Sequence, residues 1–179
     1  VSIYMSLVLN PEIDPNNASM LTLITAMAVA GGIEKTTGLE CKIKWPNDIV
    51  VHGKKVCGIL TEMSTQMDYI NYIVIGIGIN VQNESFPEEI GEVATSLRIE
   101  SGKKQNRAAI IEAVWEEFEK YYDIYLKTED MQGLVGEYDQ KLANMNKQVR
   151  VLDPKDPYEG TARGITPKGE LIVDTWEAR

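Results

Sequence analysis

One histidine and two cysteines are all the imidazole and thiol that this 179-residue chain carries. Cys41 and Cys57 form no CxxC pair and fall in strand-like segments, so they are read as buried free thiols. The single histidine, His52, stands beside Gly53 in an apparent turn. One histidine excludes a His-rich zinc site, and a hydrolase triad would have only His52 as its base. There is no GxSxG elbow and no GxxxxGK[ST] phosphate loop. Chemistry here must lean on carboxylate, lysine and backbone amides. Positive charge is also short: Lys and Arg number 18 against 27 Asp and Glu, a net charge of −9. Nucleic-acid phosphate would be repelled, so no nucleic-acid partner is expected. No apolar run approaches the roughly 20 residues of a membrane span. The opening Val1-Ser2-Ile3-Tyr4-Met5 lacks the basic-then-apolar pattern of a signal peptide. No membrane partner is expected, and the cytoplasm is the expected location.

What is present fits an ordinary globular chain, with 44% hydrophobic and 25% charged residues, enough for one main domain and a small appendage. Residues 1–9 alternate loosely and favour β-branched and aromatic types, which predicts a strand. After a proline-marked loop over 10–17, Asn17 is expected to cap a helix running to about Thr37, with Gly38 as its stop. Met20, Leu23, Ile24 and Met27 recur on it as one apolar stripe. Burying them contributes at most about 1.5–3 kcal/mol each.

Cys41, Ile43 and Trp45 alternate with lysines as a half-buried strand, and a hairpin follows through His52-Gly53. Residues 69–81, nearly all Ile, Val, Tyr and Gly, predict a central strand covered on both faces. The polar stretch 82–104 reads as a long loop, of a length that tends to be functional or mobile. A second helix opens at Asn106, with Ile111, Val114, Trp115, Phe118, Tyr122 and Tyr125 inward and Glu117 largely elsewhere. A shorter helix is expected over 134–142, then short strands from Lys147 onward.

Three short segments carry the candidate chemistry: Lys44-Trp45-Pro46-Asn47-Asp48, Lys55 to Glu62, and Gly76 to Val81. If the hairpin turn is two residues, Val50 pairs with Lys55 and Asp48 with Cys57. Asp48 and Lys55 then share a sheet face as diagonal neighbours and can converge on one ligand. A three-residue turn would put them on opposite faces. Gly58, Gly76 and Gly78 inside strands mark bulges or a close backbone approach. Taken singly, Lys55 is equally a solvated lysine beside a turn, and Asp48 a turn cap. As a dinucleotide fingerprint the glycine segment fails, because Val81 holds the third glycine position.

Together, the WPND segment at Trp45–Asp48, the KxxGIL-x-E segment at Lys55–Glu62 and the GIGINV segment at Gly76–Val81 resemble the biotin–protein ligases, in the same order and spacing. The likeness extends over essentially the whole chain. It implies an α+β fold: a mixed β-sheet with helices packed on it, related to class II aminoacyl-tRNA synthetases, plus a small SH3-like β-barrel appendage. Residues 1–143 are expected to be the catalytic core and 147–179 the appendage.

The resemblance also implies a two-step reaction, in which biotin and ATP with Mg²⁺ give biotinyl-5′-adenylate. A lysine of a biotin carboxyl carrier protein domain then takes the biotin. Lys55 matches the lysine that contacts the biotin carboxylate and the phosphoryl oxygens. Asp48 matches an aspartate that orients Lys55 or the amine, or helps to hold Mg²⁺. Gly58, Leu60, Gly76 and Gly78 match the biotin side, and Trp45, Asn47 and Asn80 the nucleotide side. The family occurs as monomers and as homodimers.

The GRGRxxRxW-like segment that precedes the first strand in this family is missing here, as is a closing GEVS-R-like strand. The chain is therefore expected to be truncated at both ends, to bind ligand weakly and to ligate poorly or not at all. The N-terminal helix-turn-helix of some family members is also missing, so gene regulation is not expected. Two rivals stay open: a lipoate–protein ligase-like adenylating enzyme, and a non-catalytic fragment that keeps only ligand or carrier binding.

Overall fold

The computed structural model of the protein describes residues 1–66, 69–152 and 154–175. The first strand, β1 (Ile3–Leu9), forms as expected. A short 3-10 turn over Pro15–Asn17 follows, with the Asp14 carboxylate accepting from the Asn16 backbone N–H at 2.8 Å. The helix α1 (Met20–Thr37) starts only after this turn and stops at Gly38, whose φ of 75° suits a residue without Cβ. Asn17 is thus the last residue of the turn rather than the helix cap. Its side-chain oxygen accepts from Lys168 Nζ instead.

The expected single stripe on α1 understates its burial. Leu21, Thr25, Ala26, Ala28, Val29 and Ala30 are buried as fully as Met20, Leu23, Ile24 and Met27. The cause is a second neighbour. One side faces the sheet, and the small residues of the other let α4 (Arg107–Tyr125) approach closely. A Cβ on Gly32 would stand 2.7 Å from the backbone nitrogen of Val114. By length and composition the stretch 15–37 does pass as a membrane span, contrary to the sequence expectation, yet most of its apolar window is buried inside the fold.

β2 (Lys42–Lys44), β3 (Asp48–Val51), β4 (Lys54–Gln66) and β5 (Tyr69–Ile79) complete a five-stranded sheet in the order β1-β5-β4-β3-β2. Every pair of neighbours is antiparallel, and parallel pairing is confined to isolated bridges at Ile43–Leu142 and Lys55–Ala94. β5 is not covered on both faces. Ile73, Ile75, Ile77 and Ile79 are buried on the α1 face, whereas Tyr72, Val74, Gly76 and Gly78 lie on a face that stays partly open.

The stretch 82–104 is also more ordered than a loop. It contains α2 (Glu88–Gly91) and α3 (Leu97–Ser101), and it buries Thr95, Ser96 and Leu97. Asn106 caps α4 as expected, accepting from the N–H groups of Ala108 and Ala109. Glu117 departs from expectation by lying buried on α4 over Gly31, with Lys35 Nζ at 2.6 Å. Burial alone would raise its carboxyl, but Lys35 and Lys120 hold it below the ordinary value.

α5 (Val135–Lys141) leads into a three-stranded antiparallel sheet of β6 (Gln148–Val151), β7 (Tyr158–Ile165) and β8 (Leu171–Asp174). This small sheet is the appendage read from the sequence; residues 176–179, where the expected 147–179 unit ends, lie outside the described residues. It is tied to the main body through Asp139, whose carboxylate accepts from Ile165 N–H at 3.1 Å, and through Met131 N–H to Pro167 O at 2.7 Å.

Candidate functional site

The hairpin between β3 and β4 sets the site. His52 (φ 48°) and Gly53 (φ 82°) both take left-handed conformations, the signature of a two-residue type I′ turn. Val50 therefore faces Lys55, as the two-residue alternative predicted. Val56 is then an extra residue, a bulge, so Ile49 pairs with Cys57 and Asp48 with Gly58 rather than with Cys57. The bulged carbonyl is not wasted: Val56 O accepts the backbone N–H of Asn80 at 2.8 Å.

Despite the shifted register, Asp48 and Lys55 converge, with Lys55 Nζ 2.6 Å from Asp48 Oδ1. Gly58 makes room for this. A Cβ there would lie 3.1 Å from both Cε and Nζ of Lys55, so the lysine stem runs over a position that must stay bare. Both partners are partly solvated, so the pair contributes little to stability, about 0–1 kcal/mol. Its effect is to fix where the ammonium points.

Lys55 and Asp48 line a cavity of about 650 Å³, together with Lys44, Asn80, Gly58 and Gly78. The opposite wall comes from the 82–104 stretch: Phe86, Ile90, Val93 and Ala94. A second depression of about 530 Å³ continues along the open sheet face past Asn47, Leu60 and Gly76. The two share Tyr4, Gly58 and Gly78, so they form one trough across the sheet. A Cβ on Gly76 would meet only Leu60 O, at 3.7 Å, which leaves the floor there open to a ligand.

The structure thus brings Lys55, Asp48, Gly58, Leu60, Gly76, Gly78, Asn47 and Asn80 to one trough. It does not bring Trp45 there. The Trp45 indole N–H donates to Gly169 O at 3.0 Å, and the ring lines a separate cavity of about 150 Å³ against the β7–β8 turn. The Asn47 amide is engaged as well, donating to Ile59 O at 2.8 Å.

Sequence reasoning missed Tyr4, 84% exposed at the centre of the trough, and the apolar wall at Phe86, Ile90 and Val93. The sequence carries only a diffuse signal for this wall, apolar residues scattered through a mostly polar stretch with nothing to mark which of them face the cavity. Cys57 also lines the cavity, but burial pushes its thiol well up, so it stays protonated.

Asp48 fits a magnesium site poorly. Among the described residues it is the one carboxylate lining the trough, and its Oδ1 already faces the Lys55 ammonium. No cluster of three His, Cys, Asp or Glu able to hold a metal occurs among the described residues. What remains is an ammonium over a glycine-paved floor beside an apolar wall. Such a trough can hold a carboxylate or phosphate oxyanion at the lysine and a flat ring against the wall.

The profile of the Biotin/lipoate A/B protein ligase family matches residues 2–80, and that of the Biotin protein ligase C terminal domain matches residues 145–177. The Bifunctional ligase/repressor BirA of Bacillus spizizenii is 40% identical over 98% of this chain and 54% of that protein. The Biotin--[acetyl-CoA-carboxylase] ligase of Mycobacterium tuberculosis is 30% identical over 86% of this chain and 56% of that protein. Among solved structures, the biotin protein ligase from Aquifex aeolicus in complex with biotin and ATP superposes with a TM-score of 0.87 at 28% identity. That alignment covers 99% of this chain and 73% of the Aquifex chain. The chain spans about half the length of the curated relatives it matches.

Proposed function

Since the chain belongs to the biotin protein ligase family, we propose that its trough joins biotin to AMP and passes the biotin to a lysine of a biotin carboxyl carrier domain. The observation that carries this is the Lys55 ammonium, held 2.6 Å from Asp48 over bare Gly58, at the junction of the two depressions. In the first step a biotin carboxylate oxygen attacks the α-phosphorus of ATP, and pyrophosphate leaves with the electron pair of the broken P–O bond. Two anions must approach each other for this. An ammonium beside both lowers their repulsion and stabilises the charge that builds on the phosphoryl oxygens. In the second step the carrier amine attacks the acyl carbon of the mixed anhydride, and AMP is expelled as the amine loses a proton.

Asp48 orients Lys55 in this reading. The Gly76–Leu60 depression takes biotin, and the cavity walled by Phe86, Ile90 and Val93 takes the nucleotide. Mg²⁺ would reach the site on the nucleotide's own phosphates, the oxygen ligands it favours. Residues 1–143 serve as the catalytic core and 147–179 as the appended unit. Trp45 acts as an anchor between the two.

The test is biotin-dependent exchange between ATP and labelled pyrophosphate, on this chain and on Lys55→Ala, with lipoate run in parallel. Biotin-driven exchange that falls about 10²–10³-fold in the variant is the expected result. Exchange that survives the substitution overturns the role of Lys55. Exchange driven by lipoate rather than biotin moves the chain to the lipoate branch of its family. No exchange with either acid leaves a binding module that does not catalyse.

A further inference from the structure

The outer side of the Lys55 backbone is bonded to the stretch that forms the apolar wall of the cavity. β5 pairs with β4 only from Cys57 onward, opposite Ile79, so Lys55 lies beyond the end of that ladder and next to the Val56 bulge. The stretch 93–95 takes the place of β5. Lys55 N–H donates to Val93 O at 2.8 Å, and Thr95 N–H donates to Lys55 O at 2.9 Å, a parallel bridge about Ala94. Lys54 Nζ adds a bond to Gly91 O at 3.1 Å.

That bridge is itself clamped from both ends by one side chain. Glu100 Oε1 accepts from the buried Thr95 hydroxyl at 2.5 Å, and Glu100 Oε2 lies 2.6 Å from Nδ1 of His52 in the turn of the Lys55 hairpin. Glu100 sits on α3, which is fixed to the residues just after β5 by Leu97 N–H to Asn80 O at 3.0 Å and Arg98 N–H to Val81 O at 2.9 Å. One carboxylate therefore joins the hairpin turn to the bridge at Lys55, from a helix whose backbone is anchored on Asn80 and Val81. Burial alone would raise the Glu100 carboxyl, yet the bonds from Thr95 and His52 hold it below its ordinary value.

We propose that Glu100 is a positioning residue for adenylation: by clamping Thr95 and His52 it holds the 91–95 cavity wall and the Lys55 backbone as one unit. The proposal rests on the adenylation reading of the trough. Glu100 lines neither depression of the trough. It fixes the strand segment from which the Lys55 ammonium projects and the wall on which Val93 and Ala94 sit. A displacement of about 1 Å in a reacting or stabilising group costs on the order of 10²-fold in rate, so a loosened bridge should appear in turnover before it appears in ligand binding.

The experiment compares wild type, Glu100→Ala and Glu100→Gln by three measurements. Amide hydrogen exchange reads the Lys55 and Thr95 N–H groups, with the β5 amides as an internal reference. Calorimetry gives the biotin Kd, and pyrophosphate exchange gives kcat. In Glu100→Ala, protection of the two bridge amides should fall at least about tenfold while β5 protection holds. Exchange kcat should fall at least about tenfold, and biotin Kd should change less than about threefold. Glu100→Gln, which keeps an acceptor for Thr95, should recover most of both losses. Unchanged bridge protection in Glu100→Ala overturns the proposal, as does biotin Kd weakening in step with kcat. A wild-type chain without pyrophosphate exchange refutes the adenylation reading instead, and bridge protection then decides the clamp by itself.

Discussion

At the scale of single residues, Gly58 and Lys55 share one lane. A methyl group at position 58 would press on Cε and Nζ of Lys55, the flexible end of a side chain, and on no backbone atom. Gly58→Ala should therefore fold, with a melting temperature within a few degrees of wild type. It should still lose roughly tenfold in biotin-dependent pyrophosphate exchange, because the ammonium is pushed off its line. Wild-type exchange in this variant would remove the lane from the account. Asp139 makes a second residue-scale case. Burial raises its carboxyl above the ordinary value, only partly offset by the Ile165 N–H. The ionised form is therefore penalised in the fold, a cost present at neutral pH and absent below the unfolded pKa of about 3.9. Asp139→Asn keeps an acceptor for Ile165 and should melt higher than wild type at pH 7, with the gap closing as the pH falls towards 4. A gap that widens on acidification would reverse the sign.

Elements were legible where the hydrophobic period was clean and obscure where it was not. The hairpin turn at His52-Gly53 and the Gly38 stop could be read directly, since few other residues suit those conformations. The Val56 bulge could not, because Val56 and Cys57 are consecutive small apolar residues and nothing in the sequence marks which of them lacks a partner. α2 and α3 were hidden for another reason: a helix of four or five residues is too short to show a 3.6-residue period. On α1 the apolar stripe was visible, but not the second buried face, where Thr25, alanines and glycines among Leu21 and Val29 blur the boundary between faces. That face offers the prediction at this scale. Gly32→Ala places a methyl within 2.8 Å of the Val114 backbone, which cannot swing aside as a side-chain tip can. The variant should lose about 1–3 kcal/mol in urea unfolding, as overpacked cores do. Gly31→Ala, which meets Glu117 Cγ at 3.3 Å, should lose less. Equal losses would mean that the α1–α4 spacing yields more easily than this contact implies.

Over the whole molecule, the candidate site was half legible. Its floor lies in three motifs, and their family likeness singled out Lys55, Gly58, Gly76 and Gly78 before any coordinates; spacing alone would put Lys55 and Gly58 on opposite faces, and the Val56 bulge is what unites them. Its far wall could not, because Phe86, Ile90 and Val93 reach the cavity through tertiary packing that local sequence does not encode. Trp45 was misplaced for a related reason: its neighbours in sequence belong to the trough, but its indole turns to a residue 124 positions away.

That long-range contact makes Trp45 a natural optical probe. A half-buried indole donating to a carbonyl emits at a wavelength set by that environment, and only attachment of the β7–β8 turn supplies it. The difference in emission between wild type and Trp45→Phe isolates this fluorophore from the chain's other two tryptophans. The small sheet's attachment to the main body can thus be followed in real time, without a label, during any titration with ligand or denaturant.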